Sequence, residues 1–514
     1  MRIFHGFLIV LLLAGSAVGW QANTPALFTQ RLDPMIQDIV SKISQDRITE
    51  ILKKMESFGT RNTLSDPNQP NRGVGAARQW IFDQFKSYSP RLEVSYDTYM
   101  QPKGGRAFRD VEIRNVMAIL PGKTDPDRWI IIGGHYDSIN NQIPAEIRSD
   151  PQKSVEIDAP GVSDNGSGLS ATMECARVMS QYEFKATIVF VAFVGEEQGL
   201  YGSTHLAQRL REKNQTVEAV FNNDLIGSDI AGNGSESTER ILVFSEDPND
   251  SPSRQLARYI RLIGQRYYPE LIADMVFRSD RFGRGGDHSP FNTQGYAAVR
   301  FTSPNENFSN QHTPTDTFAN TNPMYTTKVT RLNAAAIASM ALAPRPPVTP
   351  GPRGIAEELA QSRATAAARG AGPQGQAGTA AGDRGTGQQA QAGATSGATS
   401  GGRGAGQQAQ QAQTGAAAQG RGQGRGQGGR ASLQRGAGYD AALTWEYPNP
   451  DPDLAGFIVV VRSTTAPDWE REIFAGNVRQ FTLKNTPIDQ LIFGVKAVDA
   501  NGHESLVSAY GAGR

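Results

Sequence analysis

The sequence predicts an α/β domain over 34–344, with a mixed, mainly parallel sheet flanked by helices, and a small C-terminal all-β sandwich over 433–514. Three observations predict this. In the first region short β-branched or aromatic runs alternate with apolar residues at helical spacing, the pattern of strands buried between layers of helices. In the last region only strand-like runs occur. Between them, 360–432 holds not one Leu, Ile, Val, Met, Phe, Tyr or Trp, so nothing there offsets the entropy of ordering the backbone, and a disordered linker is expected.

Taken in order, 1–19 reads as an export signal, with Arg2 as its charge, an apolar run over 7–14, and Ala17-Val18-Gly19 as a small-x-small cleavage site. The run is far shorter than the roughly 20 residues that span a bilayer. An exported protein, periplasmic or extracellular and without stable membrane insertion, is therefore expected. Strands are expected at 116–120, 129–132, 187–194, 217–221 and 297–301, and helices at 169–179, 200–210, 256–263 and 329–342.

In the linker, arginines stand against a single acid, Asp383, and the stretch RGQGRGQGGR looks like RNA-binding repeats. It has no aromatic to stack on a base, so a solvated spacer is the better reading. The chain as a whole has 51 Lys plus Arg against 51 Asp plus Glu. That balance gives no overall reason to bind nucleic acid. Cys175 is the single cysteine, which excludes an intramolecular disulfide and the thiolate-rich metal sites; on its helical pattern it reads as a small buried hydrophobe.

Strands of the sandwich are expected at 442–447, 456–462, 480–483 and 491–498, with turns at Pro448-Asn449-Pro450 and Asn501-Gly502. With Trp445 on an early strand and FGVKAVDANGHES late, this region resembles a fibronectin type III module. About six strands can be placed where a complete sandwich has about seven. The missing one is expected before the linker, around 350–359, which makes the low-complexity segment an insertion in the first loop. The module is expected to contact the α/β domain or an extracellular surface.

Open α/β sheets bind ligands beyond the carboxyl ends of their strands. There the sequence places His135-Tyr136-Asp137-Ser138 after one strand, Glu196-Glu197 after another, Asp224 after a third and His312 past a fourth, while Asp164 opens a helix. Imidazole and carboxylate are zinc ligands, with cobalt and manganese as competitors. One His and one carboxylate per ion with a shared Asp would build two sites from His135, Asp164, Glu197, Asp224 and His312. Glu196 is left over as a general base for hydrolysis. Asp137 is placed to accept the second N–H of His135.

In this order, HYDS, SDNGSG, GEEQGLYGS, NDLIG, GGDHSPF and HTPTDT resemble the motifs of the secreted di-zinc aminopeptidases, whose relatives include glutamate carboxypeptidases and glutaminyl cyclases. The resemblance spans 115–317. It implies that His135 and Asp224 bind one Zn2+, Glu197 and His312 the other, that Asp164 bridges them, and that Glu196 is the base acting through a metal-bridging water. Peptides would be the substrates, cleaved at the N-terminus. A glutaminyl cyclase, or a carboxypeptidase using Arg281, Arg284 and Arg300 to hold a carboxylate, are the alternatives on the same scaffold. Some members carry a Tyr beside the last metal His where this chain has Gln311; Tyr296, Arg284 and His288 are the candidates for contact with substrate in its place.

Overall fold

The computed structural model describes residues 32–349, 432–435, 439–448 and 451–511. The export signal, the low-complexity segment up to residue 431 and the strand expected around 350–359 lie outside the described residues.

The α/β domain opens with α1 (Pro34–Lys42), α2 (Gln45–Ser57) and α3 (Gly73–Tyr88). Asp33 and Ser44 cap the first two by accepting from the amides of Met35 and Arg47. Then follow β1 (Glu93–Gln101), β2 (Val111–Leu120), β3 (Asp125–His135), α4 (Pro151–Ser154), α5 (Ser167–Met179), β4 (Ala186–Phe193), α6 (Tyr201–Glu212) and β5 (Thr216–Asn223). The domain ends with β6 (Arg240–Ser245), α7 (Pro252–Tyr267), β7 (Ile272–Val276), α8 (His288–Thr293), β8 (Ala298–Thr302) and α9 (Pro323–Leu342).

The strands form one eight-stranded sheet in the order β1-β2-β4-β3-β5-β8-β6-β7. Its centre, β4-β3-β5-β8, is parallel throughout. Antiparallel pairings join β1, β2 and β4 at one side and β6 with β8 at the other. The mixed, mainly parallel sheet expected from the sequence is thus present.

Every residue of β4 is buried, as a central strand covered on both faces must be. Alternation along the strands feeds two cores. Ile130, Ile132, Ile188, Phe190 and Phe221 pack in the cluster that holds residues of α5 and α9, such as Leu169, Met173 and Ile337. Ile131, Val189, Val191, Phe193 and Val220 pack with Leu206 and Leu210 of α6 and Phe291 of α8. Each such side chain contributes about 1.5–3 kcal/mol when fully buried.

Glycine sets the spacing between layers. A Cβ on Gly168, in the first turn of α5, would stand 2.0 Å from the Asn223 carbonyl oxygen at the end of β5, and one on Gly134 would stand 2.6 Å from the Gly168 carbonyl carbon. The helix start can therefore approach the ends of β3 and β5 only because both positions lack a side chain.

The C-terminal region is all β. Strands β9 (Ser432–Arg435), β10 (Ala441–Thr444) and β13 (Gln480–Leu483) form one sheet; β11 (Leu454–Ser463), β12 (Arg471–Gly476), β14 (Leu491–Asp499) and β15 (Ser508–Ala509) form another. Leu443 and Leu483 from the first sheet share a core with Phe457, Val459, Phe493 and Val495 from the second, closed by Trp445. The strand beside β10 is thus Ser432–Arg435, after the low-complexity segment. On the other side of that segment Val348 exchanges two backbone hydrogen bonds with Glu446 (2.8 and 2.9 Å).

Side chains of the two regions pair directly. Lys185 lies 2.8 Å from Asp453 and 3.2 Å from Asp499, and His503 bonds Asp499 at 2.9 Å and Asp33 at 2.8 Å.

Candidate metal centre

Because β3, β4, β5 and β8 run parallel, their carboxyl ends open on one rim. His135 is the last residue of β3, Glu196 and Glu197 follow β4, Asp224 follows β5, and the chain beyond β8 returns to the same place at His312. Asp164 sits in the irregular turn that leads into α5. The six side chains singled out in the sequence converge here.

Asp164 stands between the two imidazoles. Its Oδ1 lies 3.2 Å from His135 Nε2, and its Oδ2 lies 3.0 Å from His312 Nε2. On the first side Asp224 Oδ1 is 3.8 Å from His135 Nε2; on the second Glu197 Oε1 is 3.1 Å from His312 Nε2. Metal bonds of about 2.0–2.1 Å at a tetrahedral centre put ligand atoms about 3.3–3.4 Å apart. The observed separations bracket that value.

Two buried atoms aimed into the cluster, His135 Nε2 and Glu197 Oε1, have no hydrogen-bond partner among the described residues. Buried polar atoms are rarely left so, and a cation would satisfy both. The ligand-type atoms of His135, Asp164 and Glu197 all lie within 4.8 Å of one another, as do those of His135, Glu196 and Asp224. The donor set therefore fits zinc.

The electrostatics agree. Burial works against a charged imidazole, yet Asp164 and Glu197 hold His312 up at about 11. Burial, then the Asp164 charge, pushes Glu197 to about 7. Burial, reinforced by Asp224 and Glu197, raises Glu196 well above the usual carboxylate range. Asp224 and Asp164 go the other way: at Asp224 burial is outweighed by the Arg300 guanidinium and by His135, which hold its carboxyl down at about 2, and at Asp164 burial is outweighed by His135 and His312, which hold it well below the usual carboxylate range. Four carboxylates crowd a site whose nearby positive charge is too small for them, which is the environment that draws a divalent ion.

The surroundings fix each ligand. The Nδ1–H of His135 donates to the backbone oxygen of Asp137 at 3.0 Å, which leaves Nε2 to face the cluster. The carboxylate of Asp137, expected to be that acceptor, stands at 3.5 Å instead. It accepts from Thr63 Oγ1 at 3.0 Å and from the amides of Glu196 and Glu197 at 3.4 and 3.3 Å. Asp137 thus ties the loop after β4 to the loop after β3. Asp316 accepts from the amides of Ser163 and Asp164 at 2.8 and 2.9 Å. Arg61, fully buried, donates to the carbonyls of Tyr136, Pro160 and Gly161 and so binds the end of β3 to the turn that carries Asp164. Gln311 donates to Asp164 Oδ2 at 2.8 Å.

Not every residue proposed for substrate contact reaches the pocket. Arg284 lines it. Tyr296 does not: it precedes β8, so it lies at the opposite end of the strand, where it is buried against Phe291 and donates to the Gln215 carbonyl at 3.3 Å. His288, at the start of α8, is fully buried and bonds the Ser279 carbonyl at 2.8 Å through Nε2. Arg300, considered as a substrate group, is also fully buried, with Nη1 2.6 Å from Asp224 Oδ2. It pairs with Asp224 and is closed to a substrate. Asp316 and Arg61 were not singled out in the sequence; Asp316 lay within the HTPTDT stretch, while nothing marked Arg61.

Comparison with known proteins is consistent with this geometry. Residues 115–337 match the model of peptidase family M28. A probable zinc metalloprotease of Pyricularia oryzae is 32% identical over 507 residues, which cover 92% of this chain and 84% of that one. Another from Pyrenophora tritici-repentis is 38% identical over 54% of this chain and 68% of that one. Among solved structures, the LapA aminopeptidase of Legionella pneumophila covers 60% of this chain and 76% of its own (22% identity, TM-score 0.46). An Acidobacteriales bacterium glutaminyl cyclase covers 58% of this chain and 94% of its own (18% identity, TM-score 0.44). A relative this similar over nearly the whole chain, with the family match falling on the segment that carries all six converging side chains, shows the chain to be a zinc metallopeptidase of family M28.

Proposed function

We propose that the protein is an exported aminopeptidase that removes N-terminal residues from peptides at a centre of two zinc ions. The observation that carries this is the division of Asp164 between the imidazoles of His135 and His312, each with its own carboxylate, Asp224 or Glu197. When bound, zinc at this cluster supplies the Lewis acidity that polarises the scissile carbonyl and acidifies water.

The chain's own groups do the rest. Glu196 is only partly buried where Glu197 is buried, and it lines the pocket. It takes a proton from the attacking water and returns it to the leaving amine nitrogen. Asp137 keeps Glu196 in place through its amide. Carboxylates lining a hollow of about 340 Å³ attract the free α-ammonium.

The β module is a fixed part of this enzyme, a reading supported by the Lys185 and His503 ion pairs. A carboxypeptidase is the second reading, favoured by the guanidiniums of Arg106 and Arg284 on the pocket wall.

Peptides with free and with acetylated N-termini, with and without a chelator, separate the readings. Release of the first residue from free N-termini alone, lost with chelator and restored by zinc, is expected. Release of C-terminal residues from acetylated peptides, or conversion of N-terminal Gln to pyroglutamate without cleavage, contradicts it.

A further inference from the structure

The pocket that holds the metal ligands has an unusual wall. Beyond those ligands and Glu196, it is lined by Arg106, Arg281 and Arg284, by Gln311, by glycines and by Leu200. No other carboxylate lines it among the described residues, and Leu200 is its one sizeable apolar side chain. A large apolar residue would find little to pack against here.

The three guanidiniums are not equally engaged. Arg281 is consumed by the protein: Nε binds Asp280 at 2.9 Å, Nη1 binds Glu306 at 3.0 Å and Nη2 binds the Gly285 carbonyl at 3.0 Å. Arg106 gives only Nη1, to the Glu197 carbonyl at 2.7 Å. Arg284 gives only Nη1, to Glu306 at 2.7 Å, and its side chain is 33% exposed. The other nitrogens of Arg106 and Arg284 have no hydrogen-bond partner among the described residues, and the Arg284 guanidinium lies over the Phe308 ring, 5.8 Å from its centroid. A guanidinium pinned at one nitrogen is held ready to offer the rest of its planar fork, and the group that fork fits is a carboxylate.

We propose that the wall formed by Arg106 and Arg284 binds a substrate carboxylate lying within one residue of the scissile bond, so that the enzyme prefers acidic peptides. These side chains line the same hollow as Glu196, which places the carboxylate close to the scissile bond. Two sources supply such a group: the side chain of an N-terminal Asp or Glu, or the α-carboxylate of a dipeptide. Glu306, which lines the adjoining hollow and holds Arg284 from behind, moderates the attraction. The inference rests on the aminopeptidase reading.

The test is kcat/KM of the zinc-loaded full-length protein on matched peptides with free N-termini. One arm compares N-terminal Asp with Asn and Glu with Gln in C-terminally amidated peptides. The other compares dipeptides with free and amidated C-termini. A preference of about tenfold or more for the charged member is expected in one arm, the size of one charge-assisted hydrogen bond. The arm that shows it identifies the source. Arg284→Gln and Arg106→Gln should bring that ratio toward one, and Glu306→Gln should raise it.

Ratios near one in both arms, or a preference unchanged in both arginine variants, overturn the carboxylate site while first-residue release leaves the aminopeptidase reading standing. No release from any free N-terminus, with release of C-terminal residues from acetylated peptides, overturns that reading and this inference with it.

Discussion

At the scale of single residues, the convergence of His135, Asp164, Glu196, Glu197, Asp224 and His312 was readable because it follows from residue type and from position after a strand. His135, Asp224 and the Glu196-Glu197 pair each follow an apolar run that can only be a buried strand, so their common rim follows from parallel topology. What the sequence could not supply was the second set of contacts. Tyr296 and His288 were candidates to replace the Tyr for which this chain has Gln311, yet one precedes its strand and the other is fully buried. Arg300 looked like a free cation and is instead the buried partner of Asp224. Since Glu197 faces His312, Glu197→Gln should lower zinc content from the proposed two ions per chain to one, measured by elemental analysis of the purified variant. Retention of both ions would remove Glu197 from the ligand set.

At the scale of elements, the central strands and the helices α5, α6, α7 and α9 were visible as periodic apolar runs. Strands β1, β6, β7 and β12 were not picked out; EVSYDTYMQ and IADMV of β1 and β7 are partly exposed and mix polar with apolar residues. The first strand of the β module escaped for a simpler reason: of Ser432–Arg435 only Leu433 is apolar, and four residues are too few to show a period.

Element positions also carry function. The start of α5 can bring Asp164 beside His135 and Asp224 only while Gly168 lies against the Asn223 carbonyl. Gly168→Ala forces the helix away from β5. It should cost about 1–3 kcal/mol of stability and lower zinc content together, read by thermal unfolding and elemental analysis. Wild-type stability with both ions retained would show that the close approach is not needed.

At the scale of the whole molecule, the two regions meet through charged groups that can be switched by pH. Burial opposes a charge on His503, but Asp499 and Asp33 outweigh it and hold its pKa above the ordinary histidine value. The folded state therefore binds this proton more tightly than the unfolded chain. The stabilisation is complete below about pH 6.5, the unfolded value, and is lost as pH rises through the folded value. His503→Gln should lower stability by about 1.5–3 kcal/mol at pH 6 and by less at pH 9, measured as the difference from wild type in chemical unfolding. An equal difference at both pH values would mean that the charge on His503 contributes nothing.

The claim on which the account depends is that Glu196 moves the proton and does not hold the metal. The most direct measurement is zinc content and turnover of Glu196→Gln side by side. The account predicts zinc at the wild-type level with turnover reduced by about a hundredfold or more. Turnover comparable to wild type, or an ion lost along with activity, would contradict it; the second result would place Glu196 among the ligands, beside His135 and Asp224.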